Sequence, residues 1–173
     1  MNDETTAVLN AICGDGAIPL EHVRSWIRSP NLETRGAVYR LTDVAWTRIT
    51  PKLSPNEQLK FMCSYLLECV ATNPESRDHL HSGFEAAWEF AAWLKHMNSI
   101  GEDPIVKHAA LELEALFRRG DPDTRVRIET GALEHILEEP ALRGHFTHWE
   151  NDSELAPTFR RSLEWGRAHE SGA

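Results

Sequence analysis

Four side chains that can bind metals recur along one predicted helix. His81, Glu85, Glu89 and His96 fall within an arc of about 80° when residues 76–98 are drawn as a helix. Helical bundles build dimetal sites from such glutamate and histidine stripes, although a complete site also needs ligands from a facing helix. A solvated helix face shows the same pattern, with His81 and Glu85 as ordinary i,i+4 neighbours. A metal-dependent helical enzyme is therefore one alternative, while the sequence predicts no bound metal.

The remaining reactive side chains form no recognisable catalytic motif. His145 and His148 are three apart and precede two acids, which fits either a surface metal site or a polar helix end. Cys63 and Cys69 are about 240° apart on a helix and cannot share a metal, and Cys13 has no partner nearby in sequence. All three cysteines are interpreted as small core residues. The sequence lacks a glycine-rich phosphate loop, a zinc-protease motif and a nucleophile elbow, so it predicts no cofactor and no enzyme.

Apolar residues repeat with a period near 3.6 along most of the chain, which predicts an all-α fold. The expected architecture is a compact helical bundle or a short HEAT-like helical stack, formed by residues 1–173 as a single domain. Short connections should make successive helices antiparallel. About eight or nine helices are predicted, near residues 3–13, 19–28, 32–48, 54–72, 76–98, 104–119, 122–139, 140–150 and 154–169.

The predicted helix at 76–98 has apolar residues over more than half of its circumference. A surface helix needs an apolar stripe of only about 100°, so this helix is expected to be central. Phe84, Trp88, Ala91 and Leu94 should then be nearly fully buried. Replacing Trp88 by alanine should lower the free energy of unfolding by roughly 3–5 kcal/mol.

The chain is acidic, with 27 Asp and Glu against 18 Lys and Arg, which gives a net charge of −9. Residues 101–173 carry −6 of this excess. Such a field repels phosphate backbones and anionic lipids, so neither a nucleic acid nor a membrane is the expected partner. It would attract a basic protein, although acidic surfaces also serve solubility alone. The acidic N-terminus and the odd number of cysteines predict a cytoplasmic protein without a secretory signal.

Tryptophans accompany the acidic residues near the C-terminus. Trp149 and Trp165 lie among charged residues there, whereas Trp26, Trp46, Trp88 and Trp93 lie in apolar stripes and are expected in the core. Tryptophan anchors protein interfaces, and acids at the rim speed association with a basic partner. The alternative is that these acids only decorate a solvated face and that a partner docks on the N-terminal helices. The predicted partner-binding residues are Glu134, Glu138, Glu139, Trp149, Asp152 and Glu154.

Two resemblances bear on function. Residues 104–138 combine a helix, a Gly-Asp-Pro turn and a Val-Arg helix start, and they resemble one HEAT repeat. The run GALEHILEEPALRGHFTHWENDSELAPTFRRSLEWG is similar to segments of small helical bacterial immunity proteins of polymorphic toxin systems. This second resemblance implies a non-catalytic protein that binds a cognate toxin domain, expected to be basic, and blocks its active site. The alternatives are a helical adaptor or scaffold protein and the metal-dependent enzyme.

Overall fold

A computed structural model describes residues 2–170, and 76% of these residues are helical. The extended structure within this range comprises two short parallel strands, β1 (Ile18–Pro19) and β2 (Ile49–Thr50), and one isolated bridge. The predicted all-α fold class is therefore confirmed. Throughout residues 2–170, every helix falls short of the length and apolarity that crossing a bilayer requires.

The chain divides into two compact units. The N-terminal unit contains the chain up to Tyr65 together with Pro74–His81. The C-terminal unit contains Leu66–Asn73 together with the chain from Ser82 onward. The organisation of residues 1–173 as one domain stays a prediction.

In the N-terminal unit, asparagine caps start the two helices that pack most closely together. The side chain of Asn2 accepts a 2.7 Å bond from Thr5 N, and that of Asn31 accepts a 3.0 Å bond from Thr34 N. The hydroxyls of Thr5 and Thr34 are 3.0 Å apart in the buried contact between these helices. The helices of this unit are α1 (Asp3–Cys13), α2 (Leu20–Ile27), α3 (Leu32–Val44), a 3-10 turn (Trp46–Arg48) and the first part of α4 (Pro55–Thr72).

In the C-terminal unit, one continuous helix contains a π-helical segment and packs against α5 (Gly83–Ser99). At the start of that segment the buried Arg127 donates a 2.8 Å bond to the carbonyl of Val70, near the end of α4. This bond satisfies a carbonyl that has no partner within its own helix. The elements after α4 are α5 (Gly83–Ser99), α6 (Asp103–Arg119), α7 (Pro122–Val126), the π segment (Arg127–Leu133), α8 (Glu134–Leu137), α9 (Pro140–Arg143), a 3-10 helix (Gly144–Asn151) and α10 (Ala156–Ala168).

Helix α5 begins at Gly83, later than the predicted start near residue 76, because Ser82 and Glu85 form a capping box. Ser82 Oγ accepts a bond from Glu85 N, and Glu85 Oε2 accepts a 2.8 Å bond from Ser82 N. The predicted helix–turn–helix over 104–138 is present, but its second arm packs mainly against α5. Its contact with α6 includes Arg125, whose guanidinium lies over the ring of Phe117. The resemblance to a HEAT repeat stays a prediction.

Only two of the four residues of α5 that were predicted to be buried are buried. Ala91 and Leu94 are buried, but Phe84 is 41% exposed and Trp88 is 54% exposed, so their predicted burial is wrong. A Cβ atom on Gly131 would lie 2.8 Å from the Cβ of Ala87, so the π segment and α5 approach too closely there to hold an indole. The rings of Phe84 and Trp88 therefore lie at the edge of the contact between the π segment and α5. Among the other tryptophans, Trp93 is buried as predicted, and Trp26 and Trp46 are half-buried.

Candidate protein-binding surface

Aromatic rings from three helices of the C-terminal unit form a connected row. The ring of His135 meets the edge of Trp88 at a centroid distance of 6.5 Å and that of Trp165 at 4.9 Å. Trp165 stacks on His169 at 4.0 Å. Phe84 lies one helical turn before Trp88 on α5. We call these five residues the aromatic surface.

Two glycines bring the helices of the aromatic surface together. Gly131 contacts α5 beside Phe84, one turn before His135. A Cβ atom on Gly166 would lie 2.6 Å from the carbonyl carbon of Leu137, so α10 packs directly on the backbone of α8. Trp165 precedes that glycine and is thereby held against His135. The row thus depends on close backbone approach, which glycine alone permits.

A network of charged groups borders the aromatic surface. Glu138 Oε1 is 2.9 Å from Nδ1 of His135, and its Oε2 is 2.5 Å from Nζ of Lys95. Burial raises the pKa of Glu138, but the bonds to Lys95 and His135 outweigh burial and lower the pKa overall. The pKa of Glu134 is raised, first by burial and then by the charge of Glu129. Glu138 is therefore a charged, internally paired group, whereas Glu134 is a carboxylate held in an unfavourable site.

The acidity of the protein is concentrated in the C-terminal unit. This unit contains 18 acids and 10 bases, a net charge of −8, whereas the N-terminal unit contains 9 acids and 8 bases, a net charge of −1. The aromatic surface consequently lies in the part of the protein whose field attracts cations.

Trp149 is not available to a partner. Its side chain is fully buried, with its ring 5.6 Å from Phe117 and 5.8 Å from Phe146 between centroids. Its place in the predicted partner-binding set is therefore wrong, because a ring without accessible surface cannot contact another protein in this fold. Phe146 and Trp149 are three residues apart in a 3-10 helix, which puts both rings on the same side.

Asp152 and Glu154 form ion pairs within the protein. Arg118 Nη2 lies 2.8 Å from Asp152 Oδ2, and Arg125 Nη2 lies 2.7 Å from Glu154 Oε1. The hydrogen bond from Arg118 is the main cause that lowers the pKa of Asp152. Asp152 Oδ1 also accepts a bond from Leu155 N ahead of α10. These two acids therefore serve the fold and have different neighbours from Glu134 and Glu138.

The predicted set is thus divided by the structure. Glu134 and Glu138 border the aromatic surface, and Glu139 follows them, half-buried, immediately before α9. The predicted set contains none of the five residues of the aromatic surface, among them Phe84 and Trp88. The sequence contained one signal for these two, since the apolar arc of α5 is wider than a core contact requires.

The histidine and glutamate stripe is not assembled as a metal site. His81 lies before α5, and its Nδ1 is 3.0 Å from the hydroxyl of Tyr65, while Glu85 caps the helix. His148 pairs with Glu114 at 2.6 Å, and His145 with Asp103 at 3.6 Å, so these two histidines have separate acidic partners. Within residues 2–170, groups of three or more His, Cys, Asp or Glu side chains placed to hold a metal ion are absent.

Comparison of the chain with protein-family models, curated proteins and solved structures found no match. The function is therefore argued from the aromatic surface and its charges.

Proposed function

We propose that this chain is a non-catalytic binding protein whose aromatic surface docks on a basic partner, and that it acts as an immunity protein against a cognate bacterial toxin domain. The observation that supports the proposal is the exposure of Trp88, 54% of whose surface is accessible. Solvated tryptophans with aromatic neighbours are frequent anchors of protein interfaces. The net charge of −8 in the same unit supports a basic partner.

The aromatic surface offers a partner two kinds of contact. The rings of Trp88 and Trp165 can pack on apolar side chains, and their faces also attract lysine or arginine. Glu134 lies one residue before His135 and supplies a carboxylate whose burial raises its pKa. A cation from the partner would stabilise the ionised form of Glu134, so binding would relieve this cost.

Blocking of a toxin follows from the same contacts. A toxin that cleaves nucleic acid needs a basic surface for phosphates, and an acidic inhibitor competes for that surface. The negative charge of the C-terminal unit would raise the rate of association with a basic toxin at low salt. The rings of the aromatic surface, once covered by the toxin, would slow dissociation. Cytoplasmic action would place the inhibitor where a nuclease-type toxin acts.

Co-expression with the product of the adjacent gene tests the proposal. We expect co-purification of the two proteins and protection of the host from growth arrest. The Trp88→Ala variant should protect less, and Leu111→Ala is the matched control, because Leu111 is an exposed apolar residue of the same unit with 60% accessibility. Binding without protection would favour the helical adaptor instead. Full protection by Trp88→Ala would contradict the proposed surface.

A further inference from the structure

The N-terminal unit contains a cavity of about 310 Å³, lined by residues of α2, α3 and α4 and of the segments that follow α2 and precede α4. Four cationic side chains line it, namely Arg24, Arg28, Arg35 and Lys60. These are half of the 8 basic residues of the unit, which has a net charge of −1. The cavity is therefore positively charged because basic side chains are gathered around it, although the unit as a whole carries a slight negative charge.

One acid lies among the described residues that line the cavity. Glu57 pairs with Arg24 through Nε at 3.1 Å and Nη2 at 3.4 Å, so these two charges offset each other. By contrast, neither Arg28 nor Lys60 makes a hydrogen bond or ion pair through its side chain to any residue between 2 and 170. Like charges facing one cavity repel each other, and an anion between them would remove that repulsion.

The cavity also has an apolar part. Leu53 and Phe61 are buried and contribute to its wall together with the half-buried Ile27. A volume of about 310 Å³ lies at the lower end of the range of small-molecule sites, which run from about 300 to 1,000 Å³. Such sites combine apolar walls with a few convergent polar groups. A bare inorganic ion would leave the apolar wall without a contact.

We propose that this cavity binds a small organic phosphate monoester, with the phosphate between Arg28 and Lys60 and the organic group against Phe61. Guanidinium groups match phosphate oxygens with two parallel N–H bonds, and the lysine ammonium adds a compact charge. Phe61 and Leu53 line the apolar part of the wall, which the organic group would contact. The site belongs to the N-terminal unit and does not depend on the protein-binding surface proposed for the C-terminal unit.

Calorimetric titration of the full chain with phenyl phosphate tests the proposal. We expect saturable binding that weakens as salt rises. Loss of one charge-assisted hydrogen bond should reduce affinity about tenfold, so Arg28→Gln and Lys60→Gln should each do so. Arg77→Gln is the matched control, because Arg77 is an exposed base of the same unit outside the cavity.

Glu57→Gln provides a test of opposite sign. The amide removes the one negative charge described at the cavity. An amide oxygen in the position of Oε2 can still accept from Arg24 Nη2 and Ser54 Oγ. We expect this variant to bind phenyl phosphate more tightly, a result that general damage to the fold cannot produce. Circular dichroism of each variant checks that the helices are intact.

Four results would overturn the proposal. The first is an absence of saturable binding at phenyl phosphate concentrations of about 10 mM. The second is equal affinity for phenol, since the cations would then have no role. The third is equal affinity for inorganic phosphate, since the apolar wall would then have no role. Unchanged affinity in both Arg28→Gln and Lys60→Gln would also exclude this cavity as the site.

Discussion

Trp88 and Trp149 should contribute very differently to stability, and the contrast tests where the aromatic surface lies. Trp149 is fully buried, so Trp149→Ala creates a cavity and should lower the free energy of unfolding by about 3–5 kcal/mol. Trp88 is 54% exposed, so its removal leaves no enclosed cavity. Losing roughly 50–70 Å² of buried apolar surface at about 25 cal/mol per Å² gives a loss of about 1–2 kcal/mol.

Urea and thermal unfolding, both followed by circular dichroism at 222 nm, measure the two variants against the parent protein. For a chain of this size, about 1 kcal/mol shifts the melting temperature by roughly 2–4 °C. The melting temperature should therefore fall by about 6–20 °C in Trp149→Ala and by only about 2–8 °C in Trp88→Ala. Trp149→Ala should be the less stable of the two variants. If Trp88→Ala is as destabilised as Trp149→Ala, then Trp88 is a core residue and the aromatic surface is wrongly placed.

Three further predictions concern packing, pH and metal. Gly131→Ala should lower stability by about 1–3 kcal/mol, because its Cβ would lie 2.8 Å from that of Ala87, whereas Gly144→Ala has open space and should leave stability unchanged or slightly higher in urea unfolding. Glu134→Gln should raise stability at pH 7, because the raised pKa of Glu134 means that its ionisation disfavours the folded state. This gain in stability should shrink as the pH falls through the pKa of Glu134. Glu150→Gln is the control and should show no gain, because Glu150 is exposed. Elemental analysis of protein purified without chelator should find no stoichiometric zinc, iron or manganese, and metal that is lost on His81→Ala or His96→Ala would favour the enzyme alternative.

Helix positions followed from the sequence where caps and breakers are local. Asn2, Asn31 and Asp121 each cap a helix through a bond that spans three residues, so the signal lies within one short segment. The start of α5 differs from the predicted one because serine is a favoured N-cap and occurs at both residue 76 and residue 82. Only the reciprocal bonds between Ser82 and Glu85 distinguish them. The parallel pairing of Ile18 with Ile49 links distant residues and has no local signal.

The candidate site was only partly predictable, because burial depends on neighbours that sequence periodicity does not identify. A wide apolar arc on α5 is consistent with a central helix and equally with a helix that presents exposed rings. The close approach of Gly131 to Ala87 decides between them, and it joins two helices far apart in the chain. The burial of Trp149 has no local signal either, because its ring packs on Phe117, which lies far earlier in the chain.

The most direct test of the central claim is the dissociation rate of the complex with the toxin domain encoded by the adjacent gene. We predict that Trp88→Ala and Trp165→Ala each dissociate at least about tenfold faster than the parent, as expected for anchor residues. Leu111→Ala should dissociate at the parent rate, and Glu134→Gln should associate more slowly with a weaker dependence on salt. Parent-like dissociation of both tryptophan variants, with the complex still formed, would contradict the account, because binding would then use another surface.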